Sequence, residues 1–444
     1  MKNFRTLLLV FVLVLGVVET AFGDGVAFSG LDYSSMRPVK QGEQRAVIIH
    51  RDGVEKMLIA ISLELEDEDK GLWIFPVPGN PETIKLDVLD SFPVFKGVDT
   101  KDKAEDLFGD IVKLAFATQI YPTPFVIISD LSLSRSLSLG KSGGFKVSTY
   151  YEVEKWGIHT EAIRADSIED LRGYLKEKGV GIETKELRAF EDYLSDKYVL
   201  ILAWISSRKE LLEEFKEYGK GEILSNKRWP SLYVEFATEK AFYPMRPTRS
   251  YGEEHIRIDL AVLDYVRLEK APPYFLTEYY HQNKAVENVP SKMTQDFSSK
   301  GIRYTRVIFD GEAGELNDDL WFIPGAPNNV KNADLIVSII GNPFGFCIAY
   351  ICIVSFLSWM TAGLTGLVLF QKWKGYSRLG LWNIFTLIGL CAASYKLKGI
   401  VGERFSQTDR FPGRWTFNVL FSIFYLFITG YFTFNLMLVL DFIL

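Results

Sequence analysis

Only four histidines occur in the 444 residues, at positions 50, 159, 255 and 281. Imidazole suits both acid–base work near neutral pH and metal ligation, so these four bound the chemistry open to the chain. Two stand beside carboxylates: His255 follows Glu253 and Glu254, and His281 follows Glu278. Glu-x-x-His on a helix sets both side chains on one face, and 278–281 has that spacing. A catalytic zinc takes three protein ligands and an open position. Glu278, His281 and His255 are therefore the candidate metal set, although nothing in the sequence brings His255 near the other two. Histidines at the surface or held in hydrogen bonds are the simpler expectation.

Other chemistries find less. A hydrolytic triad needs a histidine near Ser or Cys, and no nucleophile elbow is expected. Gly140-Lys141-Ser142 resembles the end of a phosphate loop, but the place of its first glycine is taken by Arg135. No dinucleotide fingerprint is read either. The sequence thus predicts no catalytic residues, no cofactor and, with the set above as the exception, no metal.

The ends of the chain predict a location. Lys2 and Arg5 precede the apolar run Thr6–Val18, and Ala21 and Gly23 are small residues before Asp24. This is the pattern of a signal peptide over 1–23, cleaved between Gly23 and Asp24. Residues 344–370 carry no charge and are long enough to cross a bilayer as a helix. Two further apolar stretches, 379–395 and 415–440, complete an expected tail of three transmembrane helices. Lys372, Lys374 and Arg378 then fall in a cytoplasmic loop, in keeping with the positive-inside bias. The expected location is a multi-pass cell-membrane protein with 24–340 on the extracytoplasmic side.

Residues 24–340 carry a net charge of −12. An acidic surface repels phosphate backbones, which argues against nucleic acid. The lipid bilayer, with another membrane or extracytoplasmic protein, is the expected partner. All three cysteines, 347, 352 and 391, lie in the apolar tail, so no disulfide is available to residues 24–340. Its stability must come from burial, with Trp73, Trp204 and Trp321 in runs that read as core.

The elements that would position any site follow from pattern. Arg45–His50 and Met57–Leu63 are apolar runs about Asp52-Gly53, the signature of a hairpin. Residues 64–69 are acidic and read as a solvated loop. Residues 71–82, GLWIFPVPGNPE, carry three prolines that each remove a donor. That predicts a strand running into a stiff extended segment, away from the middle of a sheet. Helical spacing marks 104–117. Ser167 with Asp170 and Gly179 bounds another helix, Leu187, Phe190 and Leu194 mark a third, and Ser207 with Glu210 opens a fourth. Tyr198–Ile205 is a buried-strand run, and 231–236 and 256–262 read as strands. The Ser/Gly-rich stretch 130–144 is the best internal boundary, dividing 24–340 into two lobes if it is not one large domain. Strands and helices mix without βαβ regularity, which predicts α+β with mainly antiparallel sheets and several packed helices, followed by the helical tail.

These landmarks, in their order, resemble a prokaryotic exported family, domain of unknown function 2330. QRAVIIHRDGVEKMLIAISLE and LWIFPVPGNPE are similar to its opening, with Gln44, Trp73, Pro76 and Pro78 at the motif positions. YYEVEKWGIHTEAIRADSIEDLRGYLKEKGV, KYVLILAWI with Trp204, VEFATEKAFYPMRP, and YTR followed by DDLWF with Trp321 continue the order over about 40–340. The motifs are apolar and structural. The resemblance implies export, frequent membrane tethering and no established activity. The expectation is therefore a membrane-anchored, non-catalytic binding or structural ectodomain. An extracytoplasmic, metal-dependent hydrolase or an accessory subunit of a transport complex is the alternative.

Overall fold

A computed structural model describes residues 25–39, 44–60, 68–120, 152–195, 197–207, 209–211, 231–270, 274–297 and 301–370. The chain divides into two units, one of 1–98 with 144–326 and one of 99–143 with 327–444. The signal segment with Gly23 and Asp24, the 130–144 boundary and the stretches 379–395 and 415–440 lie outside the described residues.

The first unit is built from strands β1 (Val26–Gly30), β2 (Arg37–Pro38), β3 (Gln44–Arg51), β4 (Val54–Ala60), β5 (Lys70–Pro78), β6 (Lys85–Leu89) and β7 (Val98–Asp99), where the chain leaves it. After re-entry come β8 (Glu152–Lys155), β9 (Ile158–Ile163), β10 (Tyr198–Ile205), β11 (Ser231–Ala237), β12 (Ala241–Tyr243), β13 (His255–Leu263), β14 (Val266–Leu268), β15 (Phe275–Gln282), β16 (Ile302–Glu312) and β17 (Leu320–Pro324). One sheet runs β2-β1-β5-β10-β9-β8, a larger one runs β6-β11-β4-β3-β13-β16-β15 with β7 outermost, and a small one runs β12-β17-β14. The strand pairs among β1–β6 and β8–β17 are antiparallel apart from β13 with β3, so the expected α+β class with mainly antiparallel sheets holds for this unit.

Alternation along the strands explains the layering. Trp73, Phe75 and Val77 of β5 and Val199, Ile201 and Ala203 of β10 point into the principal core, with Ile48, Met57, Ile258 and Leu260 of the large sheet. The intervening residues Leu72, Ile74, Leu200, Leu202 and Trp204 form a second core, closed by Leu171, Leu175, Leu187 and Phe190. Gln44 is buried at the start of β3, and Trp321 packs half-buried on Phe242 with ring centres 4.7 Å apart.

Local signals translate directly at several points. Asp52 and Gly53 adopt φ of 53° and 74°, the turn that joins β3 to β4. The Ser167 side chain accepts the Asp170 N–H at 3.1 Å and starts the helix Ile168–Glu177, and Gly179 at φ 79° ends it. The expected third helix is a short α-helix, Thr184–Leu187, continued as a 3₁₀ turn, Arg188–Tyr193. Ser207 and Glu210 form the reciprocal cap, and the segment beyond 211 lies outside the described residues.

The proline segment departs from expectation. β5 includes Pro76 and Pro78 and lies between β1 and β10. It is tolerated because β1 pairs only as far as Ile74, opposite Val26. Beyond that point β5 is an edge on one side, where a missing N–H leaves no ladder bond unmade.

In the second unit, the helix Thr100–Ile120 contains the expected 104–117 helix. Ala104, Ala333 and Val337 form its small core with Leu107, Phe108 and Ile336. Two further helices are Asn328–Ile340 and Pro343–Phe370. The expected multi-pass membrane location is corrected here. Among the described residues, with the second of these helices taken as far as Phe356, no single helix is long and apolar enough to cross a membrane. Asn328–Ile340 and Pro343–Phe356 pass such a test only together, and they are bent by 98°. The physical cause of the break is the Gly341-Asn342-Pro343 junction, where the Asn342 side chain accepts the Gly345 N–H at 2.7 Å and starts a new helix.

Candidate functional site

The structure separates the three candidate metal ligands. Glu278 and His281 lie on the strand β15, not on a helix, so residues three apart point to opposite faces. His281 pairs with Arg303 of β16, and His255 pairs with Glu312 at its other end. The nine steps of β16 between those partners span about 30 Å at strand rise. Each group already has a local partner. His255 Nε2 meets Asp310 Oδ1 at 2.6 Å, and His281 Nε2 meets Asn283 Oδ1 at 2.7 Å. His50 Nε2 meets the Thr238 carbonyl at 2.9 Å, and His159 packs on the Trp204 ring at 5.3 Å. Among the described residues, no group of three His, Cys, Asp or Glu side chains could hold a metal ion. Contrary to the expectation of no nucleophile elbow, residues 140–144 read GKSGG and carry Gly-x-Ser-x-Gly spacing. That motif needs a strand-to-helix turn, and these residues lie outside the described ones.

Glu278 belongs to a different cluster, on the outer face of the large sheet. It accepts the Tyr280 hydroxyl at 2.7 Å and lies 4.0 Å from Arg306. Arg306 forks onto Asp259, Nε to Oδ1 at 2.8 Å and Nη2 to Oδ2 at 2.6 Å. Hydrogen bonding to Asp259 raises the guanidinium pKa further, so Arg306 stays charged. Tyr280 stacks on Tyr304 across the strands, ring centres 5.1 Å apart. Burial pushes the Tyr304 hydroxyl up to about 12. These groups brace a sheet face.

A second convergence of charged and aromatic side chains lies at the other end of the same face, around Tyr233. Its hydroxyl donates to Glu235 at 2.6 Å. Burial, then the bond to Glu235, raises its pKa. Burial works to raise Glu235 as well, but hydrogen bonds from Lys85 and Tyr233 outweigh it and hold the carboxylate below its usual range. Lys56 reaches Asp296 at 2.9 Å. Asp87 receives two lysines, Lys155 on Oδ1 at 3.3 Å and Lys292 on Oδ2 at 3.0 Å. Lys155 lies over the Trp156 ring at 4.5 Å, and Lys292 over the Tyr233 ring at 4.4 Å. The Trp156-Gly157 turn that carries this platform holds Trp156 at φ 53°. A bulky residue pays strain there, and burial of the indole at 7 % exposure in the principal core offsets it.

One buried carboxyl and one half-buried one tie the unit together. Glu55 is fully buried; Oε2 accepts the Phe242 N–H at 2.7 Å, and Oε1 has no hydrogen-bond partner. Asp319 accepts the Tyr193 hydroxyl at 2.7 Å and the Met245 and Arg246 N–H groups at 2.9 and 3.0 Å. This gives the MRP and DDLW stretches a physical reason: one supplies the amides that the other's carboxylate needs. Of the residues read as motif positions, Gln44, Trp73, Pro76, Pro78, Trp204 and Trp321 all fall in strands of this unit. Sequence reading gave no role to Asp87, Lys155, Tyr233 or Lys292. The only signal was the alternation of charge in Lys85-x-Asp87 and Tyr233-x-Glu235, which marks a solvated strand face without naming its partners.

No family model matches the chain, and no curated protein sequence matches it. Among solved structures, the chain is similar to a crystal structure of a mutated baculovirus P35 after caspase cleavage. The TM-score is 0.21 at 9% sequence identity, over 64% of this chain and 94% of that one, a level of likeness that carries no argument.

Proposed function

We propose that the strand-rich unit is a non-catalytic binding module that works through the charged cluster around Tyr233, at the β6 end of its large sheet. The observation that carries this reading is the Tyr233 cluster. Four lysines and three carboxylates are gathered there on aromatic platforms, with side chains between 10% and 50% exposed. The groups best suited to acid–base catalysis support it as well, because the described histidines lie on separate elements, each against its own neighbour.

The test sets this against a metal-dependent hydrolase. The full chain is assayed with ester, peptide and phosphoester substrates, with and without zinc, beside His255→Ala and His281→Ala. The module reading expects no zinc-stimulated turnover. Zinc-stimulated turnover that either substitution abolishes would overturn it.

A further inference from the structure

We propose that the junction of β6, the β8–β9 turn and the 3₁₀ turn Ser291–Met293 is an oxyanion site. A carboxylate or phosphate group would bridge Lys155 and Lys292 there. The inference rests on the binding-module reading and names its ligand chemistry.

Two ammonium groups share one carboxylate at this place. Asp87 engages Lys155 through one oxygen and Lys292 through the other. Neighbouring charges are balanced, since Lys56 is paired with Asp296 and Lys85 with Glu235. The junction therefore keeps an excess of one positive charge. Each ammonium has three donors, so binding Asp87 leaves donors free on both. Asp87 itself shows the shape that fits, a planar group presenting one oxygen to each lysine.

The lysines are also ordered before any ligand arrives. The Trp156 and Tyr233 rings lie under their ammonium groups at 4.5 and 4.4 Å. Both rings are fixed, at 7% and 1% exposure. Stacking of this kind holds the long stems in place and lowers the entropic cost of a further contact. The side chains of Lys155 and Lys292 are 39% and 35% exposed, so the site is open to solvent on one side.

The experiment is isothermal titration of the full chain with inorganic phosphate and, separately, with acetate. It is run at low ionic strength, because salt screens an exposed site. Saturable one-site binding is expected, and whichever anion binds more tightly identifies the source. Lys292→Gln and Lys155→Gln each remove a charge-assisted hydrogen bond and should weaken binding about tenfold. Asp87→Asn removes the competing carboxylate and should tighten it by a similar factor. Lys240→Gln, at the exposed pair with Glu269, should change nothing. Thermal melting confirms that each variant is folded, and either lysine variant alone suffices. Absence of saturable binding for both anions, or unchanged affinity in Asp87→Asn, would overturn the site. That failure leaves the non-catalytic reading standing, whereas zinc-stimulated turnover refutes that reading whatever phosphate does.

Discussion

Replacing Glu55 by Gln should stabilise the protein increasingly as pH rises. Burial pushes the Glu55 carboxyl well above the usual carboxylate range, and the Phe242 N–H opposes this only in part. In the unfolded chain the group titrates near its ordinary value of about 4.3. Below that pH both states hold the proton, and the favourable contribution of the neutral carboxyl is fully present. As pH rises, the unfolded chain releases its proton first, and this contribution is lost until pH passes the raised folded value. Within that window the folded state holds one more proton, and linkage sets the loss at up to about 1.4 kcal/mol per pH unit. Glutamine keeps an acceptor for Phe242 and never ionises. Urea unfolding of both full-length proteins from about pH 4 to 8, followed by tryptophan fluorescence, isolates the effect as their difference. The difference should grow with pH at a slope approaching that limit. Parallel pH profiles would show that the Glu55 carboxyl is hydrated or paired in solution and refute the reasoning.

Other perturbations have simpler expectations. Glu55→Ala leaves the Phe242 N–H without its acceptor and should cost about 1–3 kcal/mol at acid pH, where wild-type Glu55 is neutral, read from the same unfolding curves. Trp204→Ala should cost about 3–5 kcal/mol, since the indole is 8% exposed in the second core; a loss below about 1 kcal/mol would place it on the surface. Ser167→Ala should cost about 1 kcal/mol through the lost helix cap. At Gly181 a Cβ would meet the Ser34 carbonyl oxygen at 2.0 Å, so Gly181→Ala should lower the melting midpoint more than Gly173→Ala, where nothing stands within 4 Å.

What could be read in advance was local. Ser167 with Asp170, Asp52 with Gly53 and the run Tyr198–Ile205 each carry their cause within ten residues, and each forms as read. The prolines of β5 escape a local reading because their tolerance depends on where β1 stops pairing, a long-range fact. Glu278 and His281 were read at helical spacing, but FLTEYYHQ is rich in aromatic residues that suit a pleated strand, and pairing with β16 decided the outcome. The Tyr233 cluster joins residues 87, 155, 233 and 292, which share no sequence neighbourhood. Only the pairing of β11 with β6, and the return of the chain at Lys155 and Lys292, bring them together.

The non-catalytic reading depends most on the separation of the histidine-bearing strand ends. Spin labels at His255→Cys and His281→Cys, in a full chain with Cys347, Cys352 and Cys391 replaced by Ser, give that distance by pulsed electron resonance. The expected separation is on the order of 30 Å, nine steps of strand rise. A separation short enough for both side chains to ligate one ion, at about 2 Å from each, would contradict it.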